Sequence, residues 1–171
     1  MKRFEFYEQL RRGKIGENAI ISLLKDEYID CDFINVSDEE EYKGKDIDLI
    51  KINKNTGKRE TIEIKCDETN YKTWNIFAEF CSCKRLGTPG WLYKSEADYI
   101  CYAFTKRGVY FLIPREVLLD MVKIYTFRIG EAFDRYKTSQ GYLIPVSMIE
   151  AFERKNPKYS EIFNLAYGYG G

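Results

Sequence analysis

The chain has 171 residues, 44% hydrophobic and 32% charged, and its 27 basic and 27 acidic side chains cancel. That length and balance exclude a disordered chain and suit one domain over residues 1–171. It has no histidine, which excludes Ser-His-Asp triads, Cys-His pairs, His-ligated zinc and HNH-type nuclease sites.

In chain order, apolar positions Phe6, Leu10, Ala19, Ile20, Leu23 and Leu24 recur at helical spacing over residues 2–28. Gly13 and Gly16 interrupt them, predicting a break near 13–16 and a main helix from about Gly16 to Tyr28. Cys31 to Val36 reads as a short strand and Ser37 to Lys45 as an acidic loop. Asp46 to Ile52 and Arg59 to Cys66 read as strands around the turn cluster Asn53–Lys58, and so as an antiparallel hairpin. Trp74 to Cys83 predicts an aromatic-rich strand, and Arg85 to Gly90 a loop. Ala97–Phe104 and Val109–Ile113 predict a strand pair across Lys106-Arg107-Gly108, with Pro114 opening a helix to Val122. Gly141–Pro145 reads as a strand, Val146–Arg154 as a last helix, and Tyr167–Gly171 as a frayed tail.

No apolar run approaches the ~20 residues of a membrane span, and Met1–Glu5 does not begin a signal peptide. Cys31, Cys66, Cys81, Cys83 and Cys101 form no CxxC pair, so they read as reduced core thiols in a cytoplasmic, intracellular chain. Acid–base or metal chemistry falls to carboxylates, lysine, tyrosine, cysteine or water, which points to a hard, oxygen-liganded cation such as Mg²⁺.

Glu-x-Lys occurs three times, at Glu41–Lys43, Glu63–Lys65 and Glu153–Lys155. The first copy lies in a polar loop and the third at a helix end, where residues two apart do not share a face. Glu63 and Lys65 lie in a strand and point the same way, with Ile62, Ile64 and Cys66 turned into apolar packing. If the hairpin turns between Asn55 and Thr56, Ile52 opposes Arg59, Asp48 opposes Glu63, and Asp46 opposes Lys65. Opposed carboxylates share a face at a Cβ separation of ~4.5–5.5 Å and need positive charge between them. A slip of one residue would separate them. Glu17, near the start of the main helix, is costly if buried unpaired, and makes sense if it reaches the same cation.

A glutamate on the first helix, an aspartate in Gly44-Lys45-Asp46-Ile47-Asp48-Leu49-Ile50 and then Glu63-Ile64-Lys65 together resemble the PD-(D/E)xK nuclease superfamily. The likeness spans about Gly13 to Cys66. It extends more softly through Trp74–Glu79 and Ser95–Tyr99, as in phage and prophage members. The proline of the name is absent, with Lys45 or Ile47 in its place. The resemblance implies an α/β fold, a three-layer α/β/α restriction-endonuclease-like arrangement with a mixed central sheet. Its catalytic core would span about 13–113, with an extension over about 114–166. It implies a nuclease that hydrolyses DNA phosphodiester bonds with Mg²⁺ or Mn²⁺, of endonuclease or junction-resolving type. Asp48, Glu63, the Ile64 backbone carbonyl and Glu17 would hold the metal, and Lys65 would position water or stabilise phosphoryl charge. Asp46 is the rival aspartate and Glu79 an auxiliary residue, while Lys84, Arg85 and Lys94 could line a DNA path beside Trp91 and Tyr93. A homodimer would supply two active sites for two strands. The alternative is a catalytically silent nucleic-acid- or protein-binding module on the same fold.

Overall fold

The computed structural model describes residues 2–133 and 137–160. A long helix α1 (Lys2–Glu27) leads into β1 (Cys31–Asn35), a short α2 (Glu40–Lys43), and the strands β2 (Leu49–Asn53) and β3 (Arg59–Asp67). A 3₁₀ turn (Asn70–Lys72), β4 (Asn75–Cys83), β5 (Thr88–Pro89) and α3 (Trp91–Lys94) precede β6 (Tyr99–Phe104). After a 3₁₀ turn (Thr105–Arg107) come β7 (Val109–Pro114), α4 (Arg115–Ile124), β8 (Arg128–Phe133), β9 (Thr138–Pro145), α5 (Val146–Lys155) and α6 (Pro157–Ser160).

The fold is mixed α/β. Five strands form one sheet in the order β1-β2-β3-β6-β7, and four form another in the order β5-β4-β9-β8. In the larger sheet only β3 and β6 run parallel. Both strands of the β6–β7 pair are buried along their whole length, which explains their unbroken apolar sequence. On one face of the large sheet, Ile62, Ile64, Cys101 and Leu112 pack with Ile20 and Leu24 of α1. On the other, Ile100, Tyr102, Phe104 and Phe111 pack with Ile76 and Ala78 of β4, Ile144 of β9 and the apolar sides of α4 and α5. The layer opposite α1 therefore contains a second sheet as well as helices.

Several sequence expectations need correction. α1 runs unbroken through Gly13 and Gly16. Gly16 marks a close approach, because a Cβ there would lie 3.0 Å from Cys66 Sγ. Cys66 is exposed, not packed inward, and Cys81 and Cys83 are only partly buried. Pro114 ends β7, and the helix starts one residue later. β8 was not foreseen. Its side chains are almost all exposed, so it lacks the alternation that marks a half-buried strand. The acidic loop contains α2, and the predicted tail at 167–171 lies outside the described residues. Among the described residues, no helix is long and apolar enough to cross a membrane.

Candidate active site

The β2–β3 turn is built by Asn53. Its Oδ1 accepts from Asn55 N at 3.0 Å and Thr56 N at 2.9 Å, and Gly57 closes the turn at φ +71°, a conformation easy only for glycine. The turn fixes the predicted register, with Ile52 opposite Arg59 and Leu49 opposite Ile62. One residue further the ladder changes. Asp48 N–H donates to Ile62 O at 2.9 Å, and Asp48 Oδ2 accepts from Ile64 N at 2.7 Å. The aspartate side chain thus takes over where backbone pairing stops. Because N–H and C=O of one strand residue point the same way, the Ile64 carbonyl faces the same gap.

Glu63 is buried and ion-paired with Lys65. Burial, and then the Asp48 carboxylate, push the Glu63 pKa up to about 7 despite Lys65. For Lys65, burial opposes the charge, but Glu63 and Asp48 outweigh it and raise the pKa. Glu17 is half-buried, and its pKa is raised first by burial and then by Asp48, with Lys65 pulling the other way. The fold therefore brings Glu17, Asp48, Glu63 and Lys65 into one electrostatic neighbourhood. Among the described residues, no three His, Cys, Asp or Glu side chains converge closely enough to hold a metal ion.

The other predicted residues lie on neighbouring elements. Asp46 sits at φ +51° and takes Lys94 as an ion-pair partner at 2.6 Å, while Ser95 Oγ donates to its carbonyl at 3.0 Å. Asp46 and Lys94 therefore tie the entry of β2 to α3, although the Asp46 charge still reaches Lys65. Glu79 is half-buried on β4 opposite Gly141. Gly90 is pressed so close that a Cβ there would lie 2.4 Å from Glu79 O. Lys84 pairs with Glu131 of β8 at 2.7 Å, and Arg85 is exposed beside it. Both stand past the end of β4, roughly 20 Å along the strand from Phe77, where β4 meets Tyr102.

Sequence reasoning missed Asp67 and Tyr102. Asp67 Oδ1 accepts from Thr69 N, Thr69 Oγ1 and Asn70 N at 2.7, 2.9 and 2.8 Å. Its Oδ2 accepts from Asn70 Nδ2 at 2.8 Å and from the Tyr102 hydroxyl. Burial disfavours the Asp67 charge, but the Tyr102 and Asn70 donors outweigh it and lower the pKa. Tyr102 in turn accepts from Phe77 N at 3.0 Å. This chain locks the end of β3, two residues past Lys65, to β6 and to the second sheet. Asp67 continues the same-face series Glu63, Lys65, Asp67, and that was the available signal.

No family model, curated protein or solved structure matches the chain significantly.

Proposed function

We propose that the chain is a divalent-metal-dependent nuclease acting on DNA, with a site of the PD-(D/E)xK kind on a restriction-endonuclease-like three-layer fold. The reading rests on one observation: Asp48, Glu63 and Lys65 meet where β2 leaves β3, with Asp48 bonded to the Ile64 peptide. A carboxylate pair facing one lysine, with Glu17 adding further negative charge, leaves this spot short of positive charge.

The donors fit a hard cation in kind, being carboxylate and carbonyl oxygens. Asp48, Glu63 and the Ile64 carbonyl would hold it, with Glu17 beside them. A cation bound there would supply an acidified water and a sink for phosphoryl charge. The chain's own contribution is electrostatic. Lys65, held by Glu63, presents a fixed ammonium to the charge that gathers on the phosphate. Asp48 keeps the strand ends in register, and the Asp67–Tyr102 lock keeps β3 from shifting beneath Lys65.

A second reading, a nucleic-acid-binding module without catalysis, draws support from the closed Glu63–Lys65 pair and the lack of a convergent metal-ligand group among the described residues. Supercoiled, linear, single-stranded and branched DNA, incubated with Mg²⁺ or Mn²⁺ and then with chelator, separates the two. The expected result is chelator-sensitive cleavage that disappears in Asp48→Ala and Lys65→Ala. Cleavage that survives both substitutions sinks the site assignment, and DNA binding without cleavage leaves the silent module.

A further inference from the structure

β3 and β6 end side by side, and the two 3₁₀ turns that follow them touch. These turns carry Lys72, Lys106 and Arg107, all exposed to solvent. Behind them opens a pocket of about 420 Å³ walled by Trp74, Phe111, Pro145, Val146, Ser147 and Glu150. Trp74 is half-buried, its ring edge-on to Phe104 at 5.5 Å and Phe111 at 6.0 Å. The Arg107 guanidinium lies 5.2 Å from the ring centroid. Trp74 holds φ +52°, a left-handed conformation that a bulky residue adopts only under constraint. The constraint is visible. Trp74 N donates to Asn70 O at 3.1 Å, and Trp74 O accepts from Val146 N at 3.0 Å. The backbone is thus clamped on both sides with the indole aimed between a basic rim and an apolar pocket.

We propose that this pocket binds an unpaired nucleobase of the substrate strand, stacked on Trp74, while Lys72, Lys106 and Arg107 hold the flanking phosphates. The substrate in this statement rests on the nuclease reading. The chemistry is suited to it in three ways. An aromatic face takes any base without sequence preference. A guanidinium beside the ring serves both cation–π contact and phosphate. The Glu150 carboxylate in the wall is an acceptor, as a base amino group requires. The pocket adjoins the turn that follows β3, the strand that carries Lys65. A base in a duplex would have to leave its stack to enter, so the pocket selects single-stranded, branched or flipped substrates over intact duplex.

Titrating the protein in chelator with an oligonucleotide of roughly a dozen nucleotides, followed by tryptophan fluorescence, tests this without any cleavage. The chain has two tryptophans, and Trp91 is buried, so quenching reports on Trp74. The expected result is quenching by single strands, with affinity roughly tenfold above that for the matching duplex. Trp74→Leu, with binding read by the anisotropy of an end-labelled oligonucleotide, should weaken binding roughly tenfold. Ser147→Tyr, from an exposed helix position, should fill the pocket mouth and weaken binding equally, with Trp74 still packed. If both variants bind single strands like the wild type, or if duplex binds as well as single strand, the pocket assignment falls. That outcome together with Mg²⁺-dependent cleavage overturns the pocket alone. Quenching in the wild type with single-strand binding weakened in both variants, and no cleavage of any DNA, upholds the pocket and overturns the nuclease reading. No binding to any nucleic acid overturns both.

Discussion

Two glutamates on β3 lie three residues apart and experience opposite environments. Glu60 accepts from Lys58 at 2.7 Å and Lys51 at 3.1 Å, and Lys51 in turn lies over the rings of Tyr28 and Tyr99. Burial disfavours the Glu60 charge, but the two lysines overcome it and lower its pKa. Glu63, on the opposite face, has one lysine and an aspartate, and burial takes its pKa up to about 7. Glu153 on α5 extends the series: among the described residues its Oε1 has no hydrogen-bond partner, and burial followed by the Glu150 charge raises its pKa to about 8. The number of cations within reach orders all three. Glu60 is a satisfied structural ion cluster. Glu63 is left short of positive charge beside Asp48, and such imbalance concentrates at functional sites.

The contrast can be broken most sharply at Lys65. Lys65→Ala should lower DNA cleavage by roughly 10²–10³-fold, about 3–4 kcal/mol on the barrier, while Lys58→Ala at the Glu60 cluster leaves cleavage rates unchanged. Glu153→Gln should come next, acting on stability. A carboxyl whose pKa is raised on folding contributes stability present below about pH 4.5, which is lost as pH rises through about 8. Denaturant melts should therefore show Glu153→Gln more stable than wild type by roughly 2–3 kcal/mol at pH 9 and nearly equal at pH 4. A variant that is less stable at pH 9 would mean that the glutamate has found a partner.

Glu63→Gln follows the same sign over a lower window, since the wild type loses this contribution between about pH 4.5 and 7. The loss of the Lys65 ion pair trims the gain to roughly 1–2 kcal/mol at pH 9. Cleavage should vanish while the melt improves, a separation of activity from stability expected of a strained site. Glu60→Gln should be the mildest and opposite. A lowered pKa gives stability present above about pH 4.5 and lost as pH falls through the folded value. Urea melts at pH 7 should show a loss of about 1 kcal/mol that fades in acid, with cleavage intact.

The hairpin was legible because its information is local. Asn53, Gly57 and the alternating strands specify a register within fifteen residues, and that register delivered Asp48 to Glu63. The helical content of residues 2–28 was equally plain, but the two glycines suggested a break that tertiary contact with Cys66 overrides. The second sheet was not legible. β4 and β9 are 66 residues apart at their Phe77–Leu143 contact, and β8 shows no periodicity to report. The ion pairs of Lys84 and Lys94 were hidden for a similar reason. Their partners, Glu131 and Asp46, are distant in sequence, and composition near aromatics carries no information about pairing. Asp67 was hidden by its strand-end position, where its role depends on a tyrosine 35 residues away.

The parallel seam between β3 and β6 also orders events in time. Leu49 finds Ile62 across a short turn, whereas Ile62 meets Tyr99 only after the 36 intervening residues have been laid down. Short-range pairing is fast and long-range pairing slow. A nascent hairpin would hold Asp48 and Glu63 together in open water before β6 and the second sheet seal Glu63 away. Closing that seam takes up a proton at Glu63 between about pH 4.5 and 7, so refolding should slow as pH rises through that window, by an amount that Glu63→Gln erases.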